Sequence, residues 1–390
     1  MIETNRTAYQ RAVLKGGMEA ASMRGAWLGV DLVGLQENLK AIKRSLAPGT
    51  RVMAVVKADA YGHGAQAIAQ AALQSGASHL GVATVEEGMK LRRSGLDEPI
   101  MVLGLVPDAA ISHAIEAGLQ LTISSGRQIQ MVERIAAGLG KTVEVNLKVN
   151  TGMTRVGCEP HEAPALMQYL LASQILHVIG ISSHFGTAEG KLPVDAEAQL
   201  AKFDKLVRRI GLPPGQILRH IANSAGAIYL PASHFDMVRV GLAMYGHSPR
   251  GPEPSPIQLT PILSLRARIA QVKEVHAGAS VGYGATWTAK QSTRLALLPV
   301  GYADGLPRSL SNRGQVLVRG TPCPIVGRVS MDQTVVDVGR TPVEPGEEVL
   351  LLGGHGDQSV SVERWAELDG TISYEILCGL GQRLPKMYYR

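Results

Sequence analysis

The chain has 390 residues, 45% of them hydrophobic and only 4% aromatic, with 39 basic and 33 acidic side chains and three cysteines. That length exceeds one ordinary domain and points to a barrel plus a smaller partner, with cores that must be aliphatic. Dispersed basic residues argue against a nucleic-acid stripe, and no apolar run is long enough for a membrane span. Cys158, Cys323 and Cys378 are too far apart for a metal cluster, which together with the other features predicts a cytoplasmic protein.

Residues 1–25 mix charged and small side chains, lack the apolar core of a signal peptide, and read as a loose or helical extension. Short apolar runs then follow at 51–57, 79–85, 100–104, 119–124, 142–149, 178–184, 217–223 and 237–242. Between them lie helical patterns such as 65–75, 85–94, 128–137 and 196–210. Eight such units predict an α/β fold with a TIM (β/α)8 barrel over 26–248, since a doubly wound sheet usually stops at five to seven strands. Residues 249–261 carry Pro249, Pro252, Pro254, Pro256 and Pro261 with Gly251, a linker that no helix or central strand survives. Residues 262–390 read as a mostly β C-terminal domain, with apolar or alternating runs at 263–274, 293–299, 315–318 and 348–352. A helical stretch near 361–368 and a short tail complete it.

In a barrel, chemistry gathers at the C-terminal ends of the strands. Those ends carry Lys57 and Tyr61, Lys148 and Arg155, His184, Asn223-Ser224, and Arg239 with Gly241. Each has a bland reading: Lys57 snorkelling to solvent, His184 capping a strand, Ser224 merely opening a helix, Arg239 in a salt bridge. Their conjunction on one mouth describes more. Burial favours the neutral, nucleophilic amine of a lysine, and a helix start beside a glycine loop suits a phosphate, so the set fits pyridoxal phosphate.

From about residue 26 to 390 the chain resembles the alanine racemases. The most specific match is Lys57-Ala58-Asp59-Ala60-Tyr61-Gly62-His63-Gly64. It is joined by Asn223-Ser224-Ala225, by Val238 to Leu242 with Tyr245-Gly246, by Gly282-Tyr283-Gly284-Ala285-Thr286, by Gly301 to Gly305, and by Met331-Asp332-Gln333. The resemblance implies pyridoxal 5'-phosphate held as a Schiff base on Lys57 and a homodimer with shared active sites. It also implies interconversion of L- and D-alanine, supplying D-alanine for cell-wall peptidoglycan. Lys57 would be the base on the face that handles D-alanine, and Tyr283 of the other subunit the base for L-alanine. Arg155 and the Met331 N–H would hold the substrate carboxylate. The phosphate would rest on Tyr61, Ser224, the Gly241 and Leu242 backbone, and Tyr374. Arg239 would face the pyridine nitrogen, His184 would link it towards Tyr283, and Lys148 and Asp332 would support the site; no metal is expected.

These residue types suit that chemistry. A phenol is a poor base at neutral pH, so positive neighbours must favour its ionised form, and Arg239 through His184 offers that field. A guanidinium donates a hydrogen bond without surrendering its proton, which keeps the pyridine neutral and the carbanion short-lived. Tyr283 and Tyr374 would crowd the substrate β-carbon, favouring alanine over serine. Three departures stand out: Asn150 and Thr154 replace an Asp and a Gly of the relatives' pattern, and Glu189, which would lie at the substrate mouth with Arg308 and Arg328, replaces an Asp. In some relatives the lysine matching Lys148 is carbamylated. Two alternatives share parts of this plan: pyridoxal-dependent decarboxylases, which place an acid at the pyridine nitrogen, and non-catalytic pyridoxal-handling proteins, which are single barrels.

Overall fold

A computed structural model describes residues 23–188, 194–211, 215, 217–251, 255–356 and 358–390. The expected extension over 1–22, Glu189, Pro252 and Pro254 lie outside the described residues. The chain forms two compact units: one of Leu35–Ala60 with Ala65–Thr260, the other of Tyr61–Gly64 and Pro261–Arg390 with the described residues before Leu35.

The first unit contains all eight predicted strands. They are β2 (Arg51–Val55), β3 (His79–Val82), β4 (Ile100–Leu105), β5 (Gln120–Ile123), β6 (Val143–Lys148), β7 (Leu176–Ser182), β8 (Leu218–His220) and β9 (Met237–Val240). Every adjacent pair is parallel, in the order β8-β7-β6-β5-β4-β3-β2-β9. The ring closes through single backbone bonds, Asp236 N–H to Arg219 O at 3.1 Å and Arg239 N–H to Ala222 O at 3.0 Å. With aromatics scarce, Met53, Met101, Leu218 and Met237 form the barrel filling, with Leu103 and Ile179 packed against them. Helices Ala65–Gln74, Val85–Arg93, Gly126–Gly138 and Val194–Ile210 fall where the periodicity predicts them.

The second unit is built on a mixed sheet that starts earlier than expected. Strand β1 (Ala26–Asp31), assigned from the sequence to the barrel domain, pairs antiparallel with Leu263–Arg268 and parallel with Lys386–Tyr389. Its nearly continuous burial fits a central position, with hydrogen bonds on both edges. The expected short tail is in fact helix Ser373–Gly379 followed by that last strand. A three-stranded antiparallel sheet, Gln271–Val275, Thr293–Leu298 and Thr334–Asp337, completes the unit around Val281, Leu295 and Val326.

Candidate active site

The first barrel strand ends in an unusual turn. After half-buried Lys57, residues Ala58, Asp59, Ala60 and Tyr61 all take left-handed φ values of 51°, 51°, 55° and 53°. This conformation costs roughly 1–2 kcal/mol per non-glycine residue and is ordinarily visited singly. Three bonds hold it within the barrel unit: Ala60 N–H to Val56 O at 2.9 Å, Ala65 N–H to Asp59 Oδ1 at 2.8 Å, and Ala58 N–H to Glu87 Oε1 at 2.7 Å.

Arg239, on β9, is the centre of the mouth. Only 4% exposed, it donates through Nη1 to His220 Nδ1 (2.7 Å) and His220 O (3.1 Å). Its Nη2 donates to Ser183 O (2.7 Å), His184 Nδ1 (2.9 Å) and Ile221 O (3.0 Å). Among the described residues no carboxylate pairs with it, and burial alone lowers its pKa to about 10, so the guanidinium stays charged at neutral pH. A buried cation with only neutral partners is costly unless an acceptor or anion completes the site.

The cation fixes its neighbours. Burial, then Arg239, holds both His184 and His220 well below the ordinary imidazole value, with Lys148 adding to each and Arg155 and Lys57 to His184. Both rings are therefore neutral, accept from Arg239 at Nδ1, and carry their proton on Nε2. His220 uses that proton on Asn146 Oδ1 at 2.9 Å, while Asn146 Nδ2 donates to Ser182 Oγ at 2.8 Å. Gly180 makes room for this relay, since a Cβ there would lie 2.7 Å from Asn146 Oδ1. Sequence reading passed over His220 and Asn146. Asn146 lies inside β6 and His220, which ends β8, falls inside the run expected over 217–223; a polar residue in an apolar run was the available signal.

Lys148 ends β6 with Nζ donating to Ser183 O at 2.8 Å; desolvation, then Arg239 and Arg155, holds it well below the usual amine range. Arg155 itself is exposed, in a loop organised by Asn150, whose Oδ1 accepts from Gly152 N–H (3.1 Å) and Thr154 N–H (3.0 Å). An aspartate could accept those bonds too, but the Asn150 amide also donates to Glu159 at 2.9 Å. Thr154 sits at φ 53°, the left-handed conformation that glycine adopts freely.

Ser224 opens a short helix capped by Asn223, and its Oγ accepts from Gly241 N–H (3.0 Å) and Ala243 N–H (3.3 Å). The buried Leu242 N–H between them donates to no acceptor among the described residues. A phosphate fits such a cradle, and a ring nitrogen fits a guanidinium that has no carboxylate partner among the described residues. The donor set of this unit thus suits pyridoxal phosphate.

The second unit carries the remaining predicted residues. Tyr61 is buried against Tyr374, ring centroids 5.9 Å apart. Beside it, Gly62 (φ +83°) admits no side chain, because a Cβ would lie 2.4 Å from Leu377 O. Tyr283 is 73% exposed, on a turn flanked by Gly282 and Gly284 at φ +71° and +72°. Met331 is half exposed, and its loop is pinned where Arg383 reaches Asp332 Oδ1 (2.7 Å) and buried Asp304 (3.1 Å). Among the described residues no group of three or more metal-capable side chains occurs, and no helix is long and apolar enough to cross a membrane.

A closed parallel barrel, a separate β unit and polar strand ends gathered on a buried arginine define the class: a two-domain barrel enzyme of the amino-acid racemase and decarboxylase plan. Family models decide between the two. Residues 30–249 match the alanine racemase N-terminal domain and residues 262–388 its C-terminal domain. An alanine racemase of Symbiobacterium thermophilum is 42% identical over 375 residues, covering 95% of this chain and 99% of that one. The crystal structure of alanine racemase from D-cycloserine-producing Streptomyces lavendulae superposes with a TM-score of 0.87 at 38% identity, covering 94% and 97% of the two chains. The Bartonella henselae alanine racemase, whose structure holds covalently bound pyridoxal phosphate, gives 0.82 at 31% identity, covering 94% and 99%. The chain belongs to the alanine racemase family.

Proposed function

We propose that this enzyme interconverts L- and D-alanine with pyridoxal 5'-phosphate held on Lys57, as a homodimer in which Tyr283 of the second subunit serves the opposite face. The buried Arg239, bonded only to neutral groups, is the observation that carries the reading. A decarboxylase of this plan needs an acid at that position, and a non-catalytic single barrel has no use for the second unit. The products supply D-alanine for peptidoglycan.

Lys57 Nζ would hold the cofactor covalently; Tyr61, Ser224, the Gly241 and Leu242 backbone and Tyr374 would hold its phosphate, and Arg239 its ring nitrogen. When bound, pyridoxal supplies a sink for the electron pair left as the α-proton departs. Arg155 and the Met331 N–H orient the substrate by its carboxylate. Lys57 Nζ takes or returns the proton on one face, and Tyr283 Oη does so on the other; each positioned group contributes about 10² to 10⁴ in rate. Burial and the Arg239 bond at Nδ1 keep His184 neutral, which leaves its Nε2–H to favour an ionised phenolate. Lys148, held well below the usual amine range by burial, then Arg239 and Arg155, would offer the neutral amine that the carbamylation seen in some relatives requires.

Incubating the purified enzyme with L-alanine in D₂O tests the reaction: α-deuterium should enter both enantiomers without loss of alanine. Release of carbon dioxide, or no exchange at all, would overturn the reading. Borohydride reduction followed by peptide mapping should place the cofactor on Lys57.

A further inference from the structure

The left-handed turn after β2 needs a cause, and the structure supplies one in the helix that follows the neighbouring strand. Glu87 lies in the helix Val85–Arg93 that follows β3, its N–H donating to the N-cap hydroxyl of Thr84. Its two carboxylate oxygens do separate work. Oε1 accepts from Ala58 N–H and Oε2 from Ala83 N–H, both at 2.7 Å. Ala58 directly follows Lys57, and Ala83 directly follows β3. One ionised side chain thus ties together the two backbones at which adjacent barrel strands end.

We propose that Glu87 is the positioning residue for Lys57, its carboxylate clamping the Ala58 and Ala83 amides so that the unfavourable left-handed turn persists and the amine is aimed at the mouth. The inference rests on Lys57 being the amine that carries the cofactor. Charge-assisted bonds to backbone N–H groups are among the stronger hydrogen bonds available, and strained backbone survives only where its surroundings over-determine it. No other charged group among the described residues is seen bonding to either amide. Glutamine cannot replace the carboxylate: its amide oxygen serves one N–H, and its NH₂ would face the other, donor against donor.

The test compares wild type with Glu87→Gln, which keeps the volume and the helix, and Glu87→Ala. In cofactor-free protein, amide exchange read by mass spectrometry should quicken at least about tenfold, on both the Val55–Tyr61 and the Val82–Glu87 peptides in Glu87→Ala and on at least one of them in Glu87→Gln, because the Ala58 and Ala83 N–H groups lose the carboxylate that serves both. In loaded enzyme, kcat should fall on the order of 10- to 100-fold while KM for alanine stays within about twofold, the signature of a misaimed base with an intact substrate site. The thermal midpoint of the cofactor-free Glu87→Gln protein should move by no more than a few degrees. Unchanged exchange, or kcat within about twofold of wild type, overturns the proposal. So does a Glu87→Gln protein that fails to fold, or whose activity falls only in step with its folded fraction, since the role is then structural. Failure of the underlying reading looks different: borohydride would leave wild-type Lys57 unlabelled even though exchange at Ala58 still responds to Glu87.

Discussion

Arg239 Nη2 donates to His184 Nδ1 across 2.9 Å, and no carboxylate among the described residues balances the guanidinium. A permanently charged donor at a pyridine nitrogen leaves that ring neutral and a weaker electron sink. Arg239→Glu should therefore favour transamination at the expense of racemisation. Counting racemisation turnovers per alanine consumed decides it: an unchanged partition refutes the role given to this arginine.

The same cation shapes the acid stability of the fold. His184 and His220 stay neutral when folded, whereas in the unfolded chain each takes up a proton near its ordinary value of 6.5. Below that pH the unfolded state binds more protons, so stability falls as pH drops, by roughly 1.4 kcal/mol per pH unit for each histidine. Lys148, depressed for the same reasons, contributes with the same sign from its ordinary 10.5 downwards. Urea unfolding of cofactor-free protein between about pH 7 and about pH 5.5 should show this slope, shallower in His220→Gln. Parallel slopes in the two proteins would count against neutral burial of His220.

The proposed sharing of active sites makes a sharper prediction. Lys57→Ala and Tyr283→Phe should each be nearly inactive as homodimers. Mixed by reversible dissociation, they should recover about a quarter of wild-type activity, because half the dimers are then mixed and each has one intact site. If both groups came from one chain, mixing would restore nothing.

Thiol chemistry separates the three cysteines. Cys158 is buried and pushed up to about 12 by desolvation and Glu162, Cys323 is raised by burial and Asp337, and Cys378 is exposed. A thiol reagent at mildly alkaline pH should label Cys378 alone in the folded enzyme and all three after denaturation. Two or more labels on the folded protein would contradict this burial.

The barrel was legible because strands such as β2, β3 and β4 are largely buried and read as mostly apolar runs bounded by turn residues, in a βα rhythm that repeats eight times. Lys57, His184 and Arg239 were legible because strand ends are where polarity stands out. Strand β1 was misplaced: its run Ala26-Trp27-Leu28-Gly29-Val30 looks like any buried strand, and its partners lie more than 230 residues away. Asn146, His220 and Glu87 were missed for another reason. Their work consists of bonds between separate elements, Asn146 to His220 and Glu87 to the Ala58 and Ala83 amides, and no local periodicity encodes which group such a side chain will reach.

The placing of β1 also sets an order of events during synthesis. Ala26–Asp31 leaves the ribosome before any barrel strand, yet both of its hydrogen-bonding edges are filled only by Leu263–Arg268 and Lys386–Tyr389. The barrel can close while translation continues, but this nascent segment stays unpaired until residues 263–268 are made, and its other edge stays open until residues 386–389 follow. A truncation after Pro385 would remove the parallel partner strand from that edge.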